Sequence, residues 1–203
     1  MSEIYRGIKF KAVRQGEWRP GADEKKVAAQ LFSLKDDYRQ WGFLDLNGGN
    51  FSGRVPGGCV IKRTGAYLEN LQPTDFSKMT KLSGETVYFQ GEYPPSSECR
   101  SHFLIYQKCP RYNFVFHAHL PGFTNYEILA GPNCLLPDQP YGTLDLARQI
   151  ANNIMNSQFV LLQNHGVFVA DETFEAARNK LSAFYEQFRK TKEQIALHGR
   201  DFS

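Results

Sequence analysis

The 203-residue chain lacks the short motifs that mark the commonest nucleotide and thiol-based sites. It has no GxGxxG and no GxxxxGK[ST], so neither of the usual glycine-rich phosphate cradles is present. Its four cysteines, Cys59, Cys99, Cys109 and Cys134, include no CxxC pair, and none has a histidine at zinc-ribbon spacing. Reduced thiols are the expectation for such a pattern. No apolar run approaches the roughly 20 residues that span a bilayer, and the first eleven residues mix Glu3, Arg6 and Lys9 with apolar positions and hold no long apolar run of the kind a signal peptide needs. A cytosolic protein with no membrane contact is therefore expected. Charge of one sign is scarce too. A formal net charge of +3 is too small for a nucleic-acid surface but compatible with a phosphorylated small molecule as substrate.

What is present is the composition of one ordinary globular domain, with 41% hydrophobic and 22% charged residues and an aromatic-rich core drawn from 16 phenylalanines and 10 tyrosines. Residues 1–22 read as an irregular basic extension, in which Ile8, Phe10 and Ala12 alternate with lysines and predict a short edge strand. The domain proper, 23–203, opens with a helix from Glu24 to Trp41 capped by Asp23, its buried seam being Val27, Leu31, Leu34, Tyr38 and Trp41. Asn50 to Val55 and Cys59 to Arg63 flank Pro56-Gly57-Gly58 as a hairpin. Further strands are predicted over Thr86 to Gln90, Phe114 to Leu120, Phe159 to Gln163 and Val167 to Ala170. Helices are predicted from the Ser96-Ser97 cap to Cys109, over Thr143 to Met155, and from Phe174 along the seam Ala177, Leu181, Phe184, Phe188 and Ile195. A sheet covered by helices on both faces buries this pattern best.

Several places carry polar groups suited to chemistry. In His117-Ala118-His119 the two imidazoles project from one face of a strand, because side chains alternate with period two. Such a pair suits zinc, and it equally suits two histidines packed against a sheet face. His165 lies between an apolar strand and Gly166, where the chain turns back; three protein ligands with an open position is the catalytic zinc pattern. Ser96 and Ser97 stand at a predicted helix start beside Glu98, where they either hold an anion or simply cap the helix. Asn50, Ser52, Thr64 and Gly65 are phosphate contacts or ordinary turn residues.

Taken in order, these segments resemble the class II aldolase/adducin family. The matching blocks are Gly49-Asn50-Phe51-Ser52-Gly53-Arg54; Thr64-Gly65 with Leu71-Gln72-Pro73-Thr74-Asp75; Pro95-Ser96-Ser97-Glu98 with His102 and Tyr106; His117-Ala118-His119; and Leu161-Leu162-Gln163-Asn164-His165-Gly166-Val167. The resemblance covers about residues 40 to 180. It implies an α/β fold, a single three-layer αβα domain on a central mixed, largely antiparallel sheet, in homotetramers with sites at subunit interfaces. It implies zinc, or another divalent transition metal, on His117, His119 and His165, with Glu98 as the acid/base of the fuculose-phosphate aldolase branch. By the same resemblance Asn50, Thr64, Gly65, Ser96 and Ser97 bind the substrate's phosphate, and Tyr126 matches a tyrosine that reaches a neighbouring subunit's site. The implied activity is that of a zinc-dependent aldolase cleaving a ketose 1-phosphate to dihydroxyacetone phosphate and an aldehyde. Three alternatives share the resemblance: a ribulose-5-phosphate 4-epimerase, whose relatives carry aspartate at the position of Glu98; a methylthioribulose-1-phosphate dehydratase; and a non-catalytic, adducin-like interaction module. The chain departs from the family at Pro121-Gly122, which shortens the segment after His119.

Overall fold

The computed structural model of the chain describes residues 7–43, 48–120, 122–131 and 133–198. Pro121, the extension's residues 1–6 and the last five residues lie outside the described residues. The described elements run in the order β1 (Lys11–Arg14), α1 (Ala22–Trp41), β2 (Asn50–Val55), β3 (Gly58–Lys62), β4 (Phe76–Ser83), β5 (Thr86–Gln90), α2 (Cys99–Lys108), β6 (Phe114–His119), α3 (Tyr126–Ala130), β7 (Cys134–Leu136), α4 (Leu144–Asn153), β8 (Val160–Leu162), β9 (Gly166–Asp171) and α5 (Phe174–His198).

All the strands belong to one sheet of order β1-β5-β4-β3-β2-β6-β9-β8-β7. It is mixed and largely antiparallel: only the two ends, β1 on β5 and β7 on β8, pair parallel. Alternation along the strands sorts apolar side chains to two faces. In β6, Phe114, Phe116 and Ala118 face a core with α1, α3 and α5, contributed by residues such as Leu34, Leu129 and Leu181. Val115 faces the opposite core with α2 and α4, where Ile105, Leu146 and Ile150 are buried. Two apolar cores on the two faces of one sheet make the three-layer αβα architecture. Among the described residues no helix is long and apolar enough to cross a membrane.

The extension is not separate from the sheet, since β1 is its edge strand, beginning three residues later than the alternation from Ile8 suggests. The first helix starts earlier than expected. Gly21 occupies the N-cap, its N–H donating to Glu24 Oε2 at 3.2 Å, and Asp23 falls inside the first turn. There its carboxylate meets the positive end of the helix dipole without capping. Ser96 and Ser97 likewise precede α2 rather than cap it: Glu98 is the N-cap, and Ser96 Oγ accepts the Glu98 N–H at 3.3 Å in the turn before the helix. Strand β4 is absent from the sequence reading because a bulge breaks its alternation. Met79 pairs with Phe89 and Lys81 with Tyr88, leaving Thr80 as the extra residue. Met79 and Leu82, three apart, consequently reach the same core.

Candidate metal centre

The sequence of β6 builds the first half of the site. With Val115 on the α2 face, period-two alternation places His117 and His119 there as well, their ring centroids 4.9 Å apart. The second half comes from the tight turn between β8 and β9. Asn164 adopts φ 58° there, a left-handed conformation that asparagine tolerates better than most residues, and its side-chain amide donates to Asp138 Oδ2 at 2.8 Å. Gly166 then lies so close to β6 that a Cβ would stand 2.1 Å from the Ala118 carbonyl oxygen. Only glycine permits that approach, and it delivers His165 to the pair: its Nε2 is 3.2 Å from His119 Nε2.

Glu98 arrives from the start of α2. Its Oε2 lies 3.0 Å from His117 Nε2 and 3.9 Å from His119 Nε2, and its Oε1 lies 3.4 Å from His165 Nε2. Asn50, paired across strands with His117, donates its Nδ2–H to Glu98 Oε2 at 2.9 Å. The four ligand atoms all fall within 4.8 Å of one another.

These residues fit a metal ion. Four donors each about 2.0–2.1 Å from a common centre stand about 3.3 Å apart in a tetrahedron, and the separations of 3.0, 3.2 and 3.4 Å between these donors are near that value. His117 Nδ1 lies 2.9 Å from the Val167 carbonyl oxygen, which only accepts, so Nδ1 carries the proton and Nε2 presents a lone pair to the cluster. Its ring is stacked on Phe168 at 4.2 Å and 16°, and its backbone carbonyl accepts from Tyr38 Oη at 2.8 Å. Burial pushes His165 down to about 3, so it is neutral, the form that ligates. A carboxylate and three imidazoles with two ring nitrogens 3.2 Å apart make a donor set that a divalent cation would satisfy.

The residues matched to phosphate binding lie alongside. Ser96 and Ser97 are buried immediately before Glu98, and Ser96 N donates to Lys62 O at 3.0 Å. Thr64 N donates to Pro94 O at 2.9 Å, which sets Thr64-Gly65 next to the serines. Asn50 belongs to the same corner but spends its amide on Glu98. Tyr126 stands at the start of α3, buried within the chain, with its hydroxyl 3.5 Å from Leu120 O.

Two polar features escaped sequence reasoning. Lys62 is buried at the end of β3, with Nζ donating to Ala66 O at 2.6 Å, and burial with the nearby Arg63 charge lowers it to about 7 despite Asp75 and Glu98. Nothing in Ile61-Lys62-Arg63 distinguishes such a lysine from a surface one. Ser52 Oγ contacts both His102 Nδ1 and Tyr106 Oη at 2.7 Å, a buried chain joining β2 to α2. Both partners were visible as family-like residues, without a role.

The description "Class II Aldolase and Adducin N-terminal domain" matches residues 29–190. The chain belongs to this family. Within the class II aldolase and adducin family it is 26% identical over 196 residues to a 3-oxo-tetronate 4-phosphate decarboxylase of Escherichia coli, covering 87% of this chain and 89% of that one. It is 29% identical over 170 residues to the L-fuculose phosphate aldolase of the same species, covering 76% and 77%. Among solved structures, a sugar-phosphate aldolase from Thermotoga maritima superposes with a TM-score of 0.74 at 14% identity, covering 87% of this chain and 97% of the other. That likeness supports the class II aldolase fold alone.

Proposed function

We propose that the protein is a metal-dependent lyase that cleaves a ketose 1-phosphate to dihydroxyacetone phosphate and an aldehyde. The observation that carries this reading is the convergence of Glu98, His117, His119 and His165 directly beside Ser96 and Ser97. A divalent ion on the three histidines, zinc in this reading, stabilises negative charge as it develops on the substrate's oxygens. Ser96, Ser97, Thr64 and Gly65 hold the phosphate and so orient the bond to be broken, with Asn50 at the junction between phosphate and carboxylate. As the C3–C4 bond breaks, its electron pair stays on C3 and C4 becomes the aldehyde carbon, losing its hydroxyl proton. Glu98 delivers the proton that C3 gains, which balances the one lost. The amide of Asn50 supports that role by fixing the carboxylate. A homotetramer with sites at subunit interfaces belongs to the same reading.

The test uses dihydroxyacetone phosphate alone in deuterated water. The metal-loaded protein should exchange one of the two C3 protons stereospecifically, which NMR follows directly. Absence of exchange overturns the aldolase reading. A second reading has its own support in the Escherichia coli decarboxylase, which matches this chain over 87% of its length. Loss of carbon dioxide from a 3-oxo acid phosphate leaves the same kind of electron pair on carbon, so the same residues would serve. Carbon dioxide release from 3-oxo-tetronate 4-phosphate, without exchange of dihydroxyacetone phosphate, decides for it.

A further inference from the structure

Glu98 is the one member of the metal cluster that comes with α2; the three histidines come from β6 and the β8–β9 turn. Where its carboxylate stands against those histidines therefore depends on how far α2 lies along the sheet. The helix does not hold the carboxylate itself, since Glu98 is the N-cap and makes no capping bond with its side chain. Apolar residues of α2 such as Ile105 are buried against the sheet, but apolar burial is non-directional. Hydrogen bonds, which demand a set distance and angle, fix position along a strand.

Such bonds run along α2 in step with β2. Glu98, His102 and Tyr106 recur every four residues, about 6 Å along a helix, and Asn50, Ser52 and Arg54 every two, about 7 Å along a strand. The spacings nearly match, so the two elements meet as the rungs of a ladder. On the first rung Asn50 Nδ2 donates to Glu98 Oε2 at 2.9 Å. On the second, Ser52 Oγ lies 2.7 Å from His102 Nδ1 and 2.7 Å from Tyr106 Oη. On the third, Arg54 Nη2 donates to Tyr106 O at 2.7 Å and to Cys109 O at 3.1 Å, satisfying carbonyls at the end of α2. Ser52 and His102 are fully buried, where a hydrogen bond is stronger than in water. His102 Nε2 has no hydrogen-bond partner among the described residues, so the bond to Ser52 is the one that orients the ring. That ring meets Phe168 edge to face at 5.6 Å, and His117 of the cluster is stacked on the same Phe168.

We propose that Ser52, His102 and Tyr106 are positioning residues that lock α2 in register on β2 and so place the Glu98 carboxylate against the three histidines. The proposal rests on the reading of Glu98 and the histidines as one metal centre. Its test is a double-mutant cycle on the full chain, in which zinc affinity is measured by competition with a chelator. The four proteins are the wild type, Ser52→Ala, Glu98→Gln and the double variant. Ser52→Ala should weaken zinc binding roughly 10- to 100-fold, the usual cost of losing an outer partner of a metal site. In the Glu98→Gln background the same change should move the affinity by less than about twofold, because the carboxylate it places is gone. A serine that merely supports the fold would lower the urea midpoint and weaken zinc equally in both backgrounds. That additive result overturns the proposal. So does unchanged zinc affinity in Ser52→Ala, and so does a wild type that binds no zinc. If Ser52→Ala does not fold, Tyr106→Phe, which removes one hydroxyl and leaves the ring, enters the same cycle with the same expected coupling. Failure of this proposal and of the aldolase reading are distinguishable. Coupled zinc affinities in a protein that exchanges no proton of dihydroxyacetone phosphate defeat the aldolase reading and leave the lock in place. Proton exchange in a protein whose zinc cycle is additive defeats the lock and leaves the aldolase.

Discussion

Glu98 Oε2 is shared between the amide of Asn50, 2.9 Å away, and the ring of His117, 3.0 Å away. A carboxylate so placed either closes the metal's coordination or moves a proton, and substitution separates the roles. Glu98→Gln keeps the shape and the oxygen that accepts from Asn50 while removing the titratable proton. Turnover should fall by roughly 10²–10⁴-fold with metal content unchanged, since three imidazoles remain; near-native kcat would show that Glu98 is only a helix-start carboxylate. At this scale the sequence was partly legible. The period-two rule put His117 and His119 on one face from three adjacent letters, and the structure agrees. The meeting of residues 50, 98, 117 and 165 was legible only through likeness to a family, because no local pattern encodes contacts across such separations. Lys62 shows the limit, its burial being set by the Lys62–Ala66 loop closing over it.

Elements were legible where one face is buried and alternation is unbroken. The seam of α5 and the β2–β3 hairpin follow from spacing alone. Strand β4 does not, since the extra Thr80 shifts its apolar residues out of phase. The three-residue strand β7 is too short to show a period. The β6–β9 ladder is the element on which the site depends, and Gly166 is where it is tightest. In Gly166→Ala the new methyl group would meet the Ala118 carbonyl at 2.1 Å, so the strands must part or the turn must rotate. Overpacking of this kind costs about 1–3 kcal/mol, read as a lowered urea midpoint with unchanged slope. Because the same shift moves His165 away from His119, metal affinity should fall together with stability. A variant that loses stability but binds metal as tightly as wild type would show that the ladder and the cluster are independent.

Across the whole molecule, the cluster joins the start of α2, the centre of the sheet and the β8–β9 turn, parts of the chain that only the native fold brings together. An ion held there binds the folded state and has no equivalent site in the unfolded chain, so it must stabilise the fold by mass action. At free metal about 100-fold above Kd the gain is about 2.7 kcal/mol. For a domain of roughly 200 residues, each kcal/mol moves Tm by about 2–4 °C. Zinc-loaded protein should therefore melt roughly 5–11 °C above the same protein stripped with a chelator. His117→Ala supplies the control, because it removes one donor of the set while leaving Phe168 and the rest of the sheet in place. That variant should melt at one temperature with or without zinc, at or below the Tm of the stripped wild type. A metal-dependent rise that survives His117→Ala would place the ion elsewhere on the chain. A wild type indifferent to metal would remove the cofactor from the proposed reaction and favour the reading of this fold as an interaction module.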